Sequence, residues 1–419
     1  TSKVDTVIAN GAECEPLLRC DKAVMRQRTE EVLHGLALLA EATSATRAVI
    51  GLKGRYRDVV DRVREVASGA YPDVEVFELG NYYPAGDEQV LVNEVTGRVV
   101  PEGGIPLQVG TVVNNVITLS QVSRAVREDR PVTRRPLTVC GEVARPLTCE
   151  LPIGTPLHLA VEAAGGATDS PWVIVEGGPM MGPVITDPQT PITKKTSGAL
   201  VLPPDHPLVQ PKLRPMKREV LLARSVCCQC RMCTDLCPRY NLGHQIQPHL
   251  AMRSLGTEGT TEPAADHITA AFLCCLCGVC EVYACPLGLA PRKVFDSFRL
   301  SLISAGQSNP HDRTDCVPDE FRQVRRIPLP RLIARLGLSR YVDVPDEVDW
   351  RGPEVAHVRL PLSQHTGAPA RPVVEPGQHV QEGDLIGEIP QGKLGARVHA
   401  SISGIVTQVN DREVQIERS

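Results

Sequence analysis

Eight cysteines fall into two sets of nearly equal spacing. Cys227, Cys230, Cys233 and Cys237 read C-x2-C-x2-C-x3-C with Pro238 behind them, and Cys274, Cys277, Cys280 and Cys285 read C-x2-C-x2-C-x4-C with Pro286 behind them. A tight C-x2-C-x2-C turn lets three thiolates converge on one iron–sulfur cube. Zinc, the alternative along with disulfides, takes four ligands as spaced pairs and has no need of a third cysteine at the same interval twice over. The longer gap before Cys285 leaves the cluster assignment intact and bears on the nuclearity of that site. Cys228 and Cys275 each sit beside a first ligand and are expected to be packed small hydrophobes.

The pattern resembles the double signature of two-cluster bacterial ferredoxins, in which the remote cysteine before proline ligates the other cube. On that resemblance Cys227, Cys230, Cys233 and Cys285 hold one [4Fe–4S] cluster, and Cys274, Cys277, Cys280 and Cys237 hold the second. Clusters need reduced thiols. With eight of the 15 cysteines assigned to them, the expected compartment is reducing and cytoplasmic.

The elements that must position these residues suggest several domains in a chain of 419 residues. Residues 1–133 alternate apolar strands (Val4 to Ala9, Arg47 to Leu52, Val74 to Leu79, Val109 to Ile117) with helical periodicity over Val24 to Ala42 and Tyr56 to Ala67. That alternation predicts an α/β domain with a largely parallel sheet. Arg134-Arg135-Pro136 reads as a boundary, residues 134–202 as a small α+β module, and Pro203 to Pro215 as a proline-rich linker. The cluster domain is expected over 216–312, with a helical stretch at His244 to Leu255 and a helix entering Cys274 from His267. The arginines between 319 and 345 suggest an amphipathic helix with a solvated face, the alternative being a dock for an acidic partner. Residues 354–419 carry short strand patterns with Gly383-Asp384 and Ser403-Gly404 turns, as a compact all-β domain would.

A formal net charge of −4 gives no argument for nucleic acid. No run approaches the roughly 18 apolar residues of a membrane span, and there is no secretory apolar region. Cys14, Cys20, Cys140, Cys149 and Cys316 lack ligand spacing, and His365, His379 and His399 are expected to be ordinary surface or core histidines rather than cobalt ligands.

Three segments of the first domain resemble the flavin-bearing, NADH-oxidising subunit of respiratory complex I. They are Asn10-Gly11-Ala12-Glu13-Cys14-Glu15-Pro16, Tyr83-Pro84-Ala85-Gly86-Asp87-Glu88 and Asn114-Asn115-Val116-Ile117-Thr118. The resemblance implies that Asn10, Glu13, Asn114 and Asn115 contact FMN, that Glu15 faces the nicotinamide of NADH, and that Gly86, Asp87 and Glu88 line the isoalloxazine pocket. A flavin site needs amide and carboxylate groups for the ring edge and ribityl chain, and close backbone approach at glycine. The alternative is that Asn114 and Asn115 cap a helix while Glu13 and Glu15 are solvated. That family's glycine-rich phosphate loop lies upstream of the first segment, whereas here only nine residues precede Asn10. Because residue 1 is not methionine, a truncated chain is expected, the other reading being weak or absent flavin binding.

In module order the chain resembles the cobalamin reductases of propanediol-utilisation microcompartments. The resemblance implies a multidomain α/β fold: a flavin-type α/β domain (1–133), an SLBB-like β-grasp module (134–202) with its Glu176 to Gly182 segment, a two-[4Fe–4S] ferredoxin-like α-helical domain (216–312), and a C-terminal all-β barrel-sandwich hybrid (354–419). It further implies electron transfer from NADH through FMN and two clusters to cobalamin, a corrinoid adenosyltransferase as partner, and residence in the cytoplasm inside a microcompartment. Two readings stand beside it. One is the RnfC-type NADH-dehydrogenase component of an ion-translocating electron-transport complex, in which the barrel-sandwich segment precedes the flavin domain. The other is an iron–sulfur relay without flavin. Lys393 in Gln391-Gly392-Lys393-Leu394-Gly395 lacks the flanks of a carrier lysine, which leaves the terminal domain a structural or docking role.

Overall fold

The computed structural model describes residues 3–255, 266–350 and 352–419. Two compact units emerge, one from Thr1–Pro16, Leu36–Asn115 and Asp205–Ser339, the other from Leu17–Gly35, Val116–Pro204 and Arg340–Ser419.

In the first unit, strands β1 (Thr6–Gly11), β2 (Arg47–Lys53), β3 (Val74–Leu79) and β5 (Thr111–Asn115) form a parallel sheet in the order β3-β2-β1-β5. β1 and β2 are apolar nearly throughout and buried, as strands covered on both faces must be. Ile8, Val49, Leu79, Leu91, Val92 and Val95 pack into one core beneath the helix Glu88–Thr96. The short strand β4 (Tyr82–Tyr83) pairs antiparallel with Ile327–Pro328. The cluster region is helical: Met216–Val226, Met232–Asp235, Pro238–Asn241, Pro248–Ser254, Asp266–Thr269 and Pro291–Ser304 surround the cysteine loops, with Phe295 and Val294 fully buried.

The second unit holds a six-stranded mixed sheet, in the order Val348–Asp349, Leu147–Pro152, Arg134–Gly141, Gly198–Leu202, Val173–Glu176, Val184–Ile185, with the helix Leu157–Ala163. Two smaller sheets of four and three strands follow, built from residues 357–417. They sandwich a core in which Val358, Ile386, Val406 and Ile416 are fully buried, but they do not close into a barrel.

Several sequence expectations need correcting. The helical periodicity at Val24 to Ala42 belongs to two helices, Cys20–Gln27 and Thr29–Thr43, broken at Arg28. There the guanidinium turns to the Trp350 ring and to Glu150, and Thr29 Oγ1 donates to Met25 O. The apolar run Val109 to Ile117 is a strand only over Thr111–Asn115, because Val116 and Ile117 open the helix Val116–Glu128. Arg134-Arg135-Pro136 opens the strand Arg134–Gly141, six residues of which pair with Leu147–Pro152. The proline-rich stretch 203–215 contains a helical turn, Val209–Leu213, anchored by buried Leu208 and Val209. The stretch from His244 to Leu255 is helical only over Pro248–Ser254, where Pro248 opens the first turn, while His244 is buried with Nε2 on Val100 O. The arginines of 319–345 are largely engaged within their own units. Arg322 and Arg326 hold Glu94, Arg325 holds Asp319, and Arg340 holds Glu142. The amphipathic helix itself is short, Leu329–Arg335, and buries Leu329 and Leu332.

Candidate functional site

The two cysteine loops share one backbone device. In the first, Gln229 and Arg231 take left-handed φ of 54° and 66°; in the second, Leu276 and Gly278 do so at 56° and 79°. In both loops these are the second and fourth residues past the first cysteine. Three of the four are not glycine, and such conformations persist only where the surroundings impose them. The alternation curls the second loop so that a backbone amide turns to sulfur, Leu276 N donating to Cys274 Sγ at 3.4 Å; in the first loop it is the Gln229 side chain that donates, Nε2 to Cys227 Sγ at 3.2 Å. Hydrogen bonds to sulfur are among the levers that set cluster potentials.

Cys227, Cys230, Cys233 and Cys285 line a single cavity, closed below by Met252, Leu289 and Pro291. Cys237, Cys274, Cys277 and Cys280 lie near enough to act on one another electrostatically. Each grouping contains one expected crossed set together with one further cysteine, Cys228 in the lining of the cavity and Cys275 beside Cys237, Cys274 and Cys277. The extra residue before Cys285 is taken up by a π-helical turn, Cys280–Ala284, where the first set has an α-turn, Met232–Asp235. The wider turn absorbs the added residue without displacing Cys285 from the first cavity. Burial pushes the Cys233 and Cys237 thiols up to about 12, and a bound cation would favour their thiolate form. A set of soft, preoriented thiols with inward amides fits an iron–sulfur cube. Cys228 departs from expectation. It is exposed rather than packed and borders the same cavity as Cys227 and Cys230. Cys275 is half-buried.

The flavin-type residues gather at the carboxyl edge of the parallel sheet, where open α/β sheets take their ligands. Asn10 pairs in register with Gly51 on one side and Asn115 on the other, and Asn114 lies opposite Ala9. Asn10 Nδ2 donates to Gly86 O at 2.9 Å, and its Oδ1 accepts from Ala12 N at 3.2 Å, which fastens the first two segments together. A Cβ on Gly86 would lie 2.8 Å from both Ala12 Cβ and Cys14 Sγ, so only glycine fits that approach. Glu13 is buried in a left-handed conformation (φ 38°), and its carbonyl accepts from Lys53 Nζ at 2.9 Å. Burial pushes the Cys14 thiol up to about 11, against the opposing pull of Lys53. Asp87 caps the helix Glu88–Thr96 through the amides of Gln89 and Val90, and Glu88 lies in its first turn, exposed. Glu15 is half-buried and acts electrostatically on Tyr83 and on Lys212, whose ammonium is drawn down to about 8, mainly by burial. Amide, carboxylate and bare backbone at one sheet edge are a donor set that fits a flavin's ring edge and ribityl chain.

Two contacts join this edge to the second cysteine set, and sequence reasoning missed both. Tyr83 Oη donates to Cys277 O at 2.7 Å in a fully buried setting. Arg239, two residues past Cys237, forms a bidentate pair with Asp87 at 2.5 and 3.1 Å. The buried Lys53 was also missed. The one signal for it is a lysine closing an otherwise apolar strand, just before Gly54.

The remaining cysteines are structural. Cys20 packs with Sγ on Thr138 and Ser197, and burial pushes Cys140 and Cys149 up to about 12. Lys393 is exposed, and His365 Nε2 accepts from Ala396 N at 2.9 Å.

Family models match four successive stretches: a Nuo51 FMN-binding domain over residues 1–124, an SLBB domain over 136–184, a 4Fe-4S dicluster domain over 226–290, and an RnfC barrel sandwich hybrid domain over 351–419. The cobalamin reductase PduS of Citrobacter freundii is 39% identical over 424 residues, which span 100% of this chain and 91% of the relative. The protein of the same name from Salmonella typhimurium is 40% identical over 418 residues, with coverages of 100% and 91%. A component of the Na(+)-translocating ferredoxin:NAD(+) oxidoreductase complex of Acetobacterium woodii is 34% identical over 238 residues, 56% of this chain and 51% of that one.

Proposed function

The chain belongs to the cobalamin reductase PduS family, and from that membership we propose that it is an NADH-dependent reductase passing single electrons to a corrinoid. When bound, FMN accepts two electrons as a hydride and releases them one at a time, and [4Fe–4S] clusters carry them singly. The residues of this chain supply position and electrostatics. Asn10 holds the first two flavin-type segments in contact, while Asn114 and Asn115 offer amides on the neighbouring strand. Glu15 and the buried Lys53 place opposite charges at the same edge, and Glu15 would face the nicotinamide of a bound NADH. The left-handed turns at Gln229, Arg231, Leu276 and Gly278 hold the thiols and aim amides at sulfur.

The observation that carries this reading is the hydrogen bond from Tyr83, inside a flavin-type segment, to the carbonyl of the cluster ligand Cys277. It makes the flavin edge and a cluster loop parts of one packed unit. The RnfC-type alternative draws on a match to little more than half of the chain, whereas the cobalamin reductases match all of it. Hand-over of the reduced corrinoid to an adenosyltransferase, and residence in a cytoplasmic microcompartment, belong to the same proposal and rest on family membership. Among the described residues no helix is long and apolar enough to cross a membrane.

Anaerobic purification with iron, sulfide and flavin quantified together tests the proposal. About eight irons and one FMN per chain, with cob(III)alamin reduced at the expense of NADH, are expected. About eight irons with no flavin and no NADH-driven reduction would leave an electron relay instead.

A further inference from the structure

We propose that the two cysteine sets have fixed places in the electron path. The Cys237, Cys274, Cys277, Cys280 set is the inner station, fastened to the flavin edge by Tyr83 and Arg239. The Cys227, Cys230, Cys233, Cys285 set is the outlet. The ordering rests on the flavoprotein reading above and adds to it a direction and two positioning residues.

Three observations carry it. First, both contacts from the flavin-type segment end on the inner set: Tyr83 Oη on the carbonyl of the ligand Cys277, and Asp87 on Arg239, in the turn that follows the ligand Cys237. Each is buried or nearly so, so each holds its loop against a rigid segment rather than a solvated one. Second, burial differs between the sets. Cys237, Cys277 and Cys280 are buried and Cys274 half-buried, whereas the outlet set has Cys233 and Cys285 buried, Cys227 half-buried and Cys230 exposed, so only the outlet set carries an exposed ligand. Leu287 on the lining of the outlet cavity is exposed, as are Val226 and Met232, the chain neighbours of Cys227 and Cys233, and exposed apolar side chains of this kind can meet an acceptor. Third, the sets adjoin, since Cys233 of the outlet is close enough to act electrostatically on Cys280 of the inner set. Each passage moves one electron in and one out with no bond made or broken at cysteine, and the hydride of one NADH supplies two passages.

Cys230→Ser and Cys274→Ser in the anaerobically reconstituted full chain test the order, read by iron content and by the electron paramagnetic resonance signal of the remaining cluster. With the outlet ligand replaced, NADH should still reduce the remaining inner cluster, while transfer to cob(III)alamin falls at least about tenfold. With the inner ligand replaced, the outlet cluster should respond to dithionite but not to NADH. The reverse pattern overturns the order. If NADH reduces no cluster in the unsubstituted chain, the flavoprotein reading fails instead, so the two failures are distinguishable. Should either cysteine variant lose both clusters, Tyr83→Phe decides. Losing one buried donor should slow NADH-driven cluster reduction about five- to tenfold. It should also move the potential of one cluster downward and leave the other's potential, the iron content and dithionite reduction unchanged. Unchanged potentials and an unchanged rate in Tyr83→Phe would remove its positioning role and the proposal with it.

Discussion

Arg239 grips both carboxylate oxygens of Asp87 while Asp87 Oδ1 also accepts from the backbone amides of Gln89 and Val90. One carboxylate thus starts a helix of the flavin-type region and anchors the turn after Cys237. Arg239→Ala would leave that carboxylate buried without its cation, a change that costs about 3–5 kcal/mol. Asp87→Asn keeps the cap and should cost less. In denaturant unfolding followed by cluster absorbance, the double variant should be less destabilised than the sum of the single ones, because the two groups share one contact. Strict additivity would show that the pair is not coupled.

Gly86 is expected to be intolerant of any side chain. A methyl group there must displace Ala12 or Cys14, which separates the first two flavin-type segments. Gly86→Ala should cost about 1–3 kcal/mol by overpacking. In the purified chain, flavin content should drop while iron stays at about eight per chain. Equal loss of both would locate the damage in the fold as a whole.

The π-helical turn at Cys280–Ala284 makes a prediction of the opposite kind. If it only absorbs one additional residue, deleting Val282 should convert it to an α-turn like Met232–Asp235 and leave Cys285 within reach of its partners. Iron should then remain near eight atoms per chain, about as in the unaltered protein. A fall to about four would mean that the wider turn is itself required to bring Cys285 into its set.

Alkaline pH should weaken the second unit through its buried thiols. Burial raises Cys140 and Cys149 from 9.0 to about 12. A raised native pKa gives stability that is complete below the unfolded value and is lost as pH climbs toward the native one. The loss therefore begins near pH 9 and proceeds at about 1.4 kcal/mol per pH unit for each thiol. Cys140→Ala should flatten the fall in thermal midpoint between about pH 8 and about pH 10.5. An identical pH profile in the variant would assign the loss to other groups.

The cysteine spacing was legible because a cube's ligands lie on short loops, where sequence distance constrains space. The buried parallel strands were legible for a related reason: continuous apolar runs such as Val7 to Ala9 and Ala48 to Leu52 have few other uses. What stayed hidden depends on distant partners. Tyr83 and Cys277 are 194 positions apart, Arg239 and Asp87 152, and no local pattern contains such a pair. The break at Arg28 was invisible because the apolar periodicity continues on both sides of it, and the turn is fixed by Glu150 and Trp350 from other segments. The arginine run likewise reads as a solvated face until Glu94 is brought beneath Arg322 and Arg326.

The uneven exposure of the two cysteine sets also governs how the protein fails in air. Dioxygen reaches exposed sulfur first, and exposed thiolates climb the oxidation ladder soonest. Damage should therefore begin at Cys230 and Cys227 and spare Cys277 and Cys280, which lie buried. A briefly aerated preparation would retain about half its iron and still accept electrons, with no route for releasing them. The exposed set would then act as a fuse, disconnecting the chain from its acceptor before the buried half is lost.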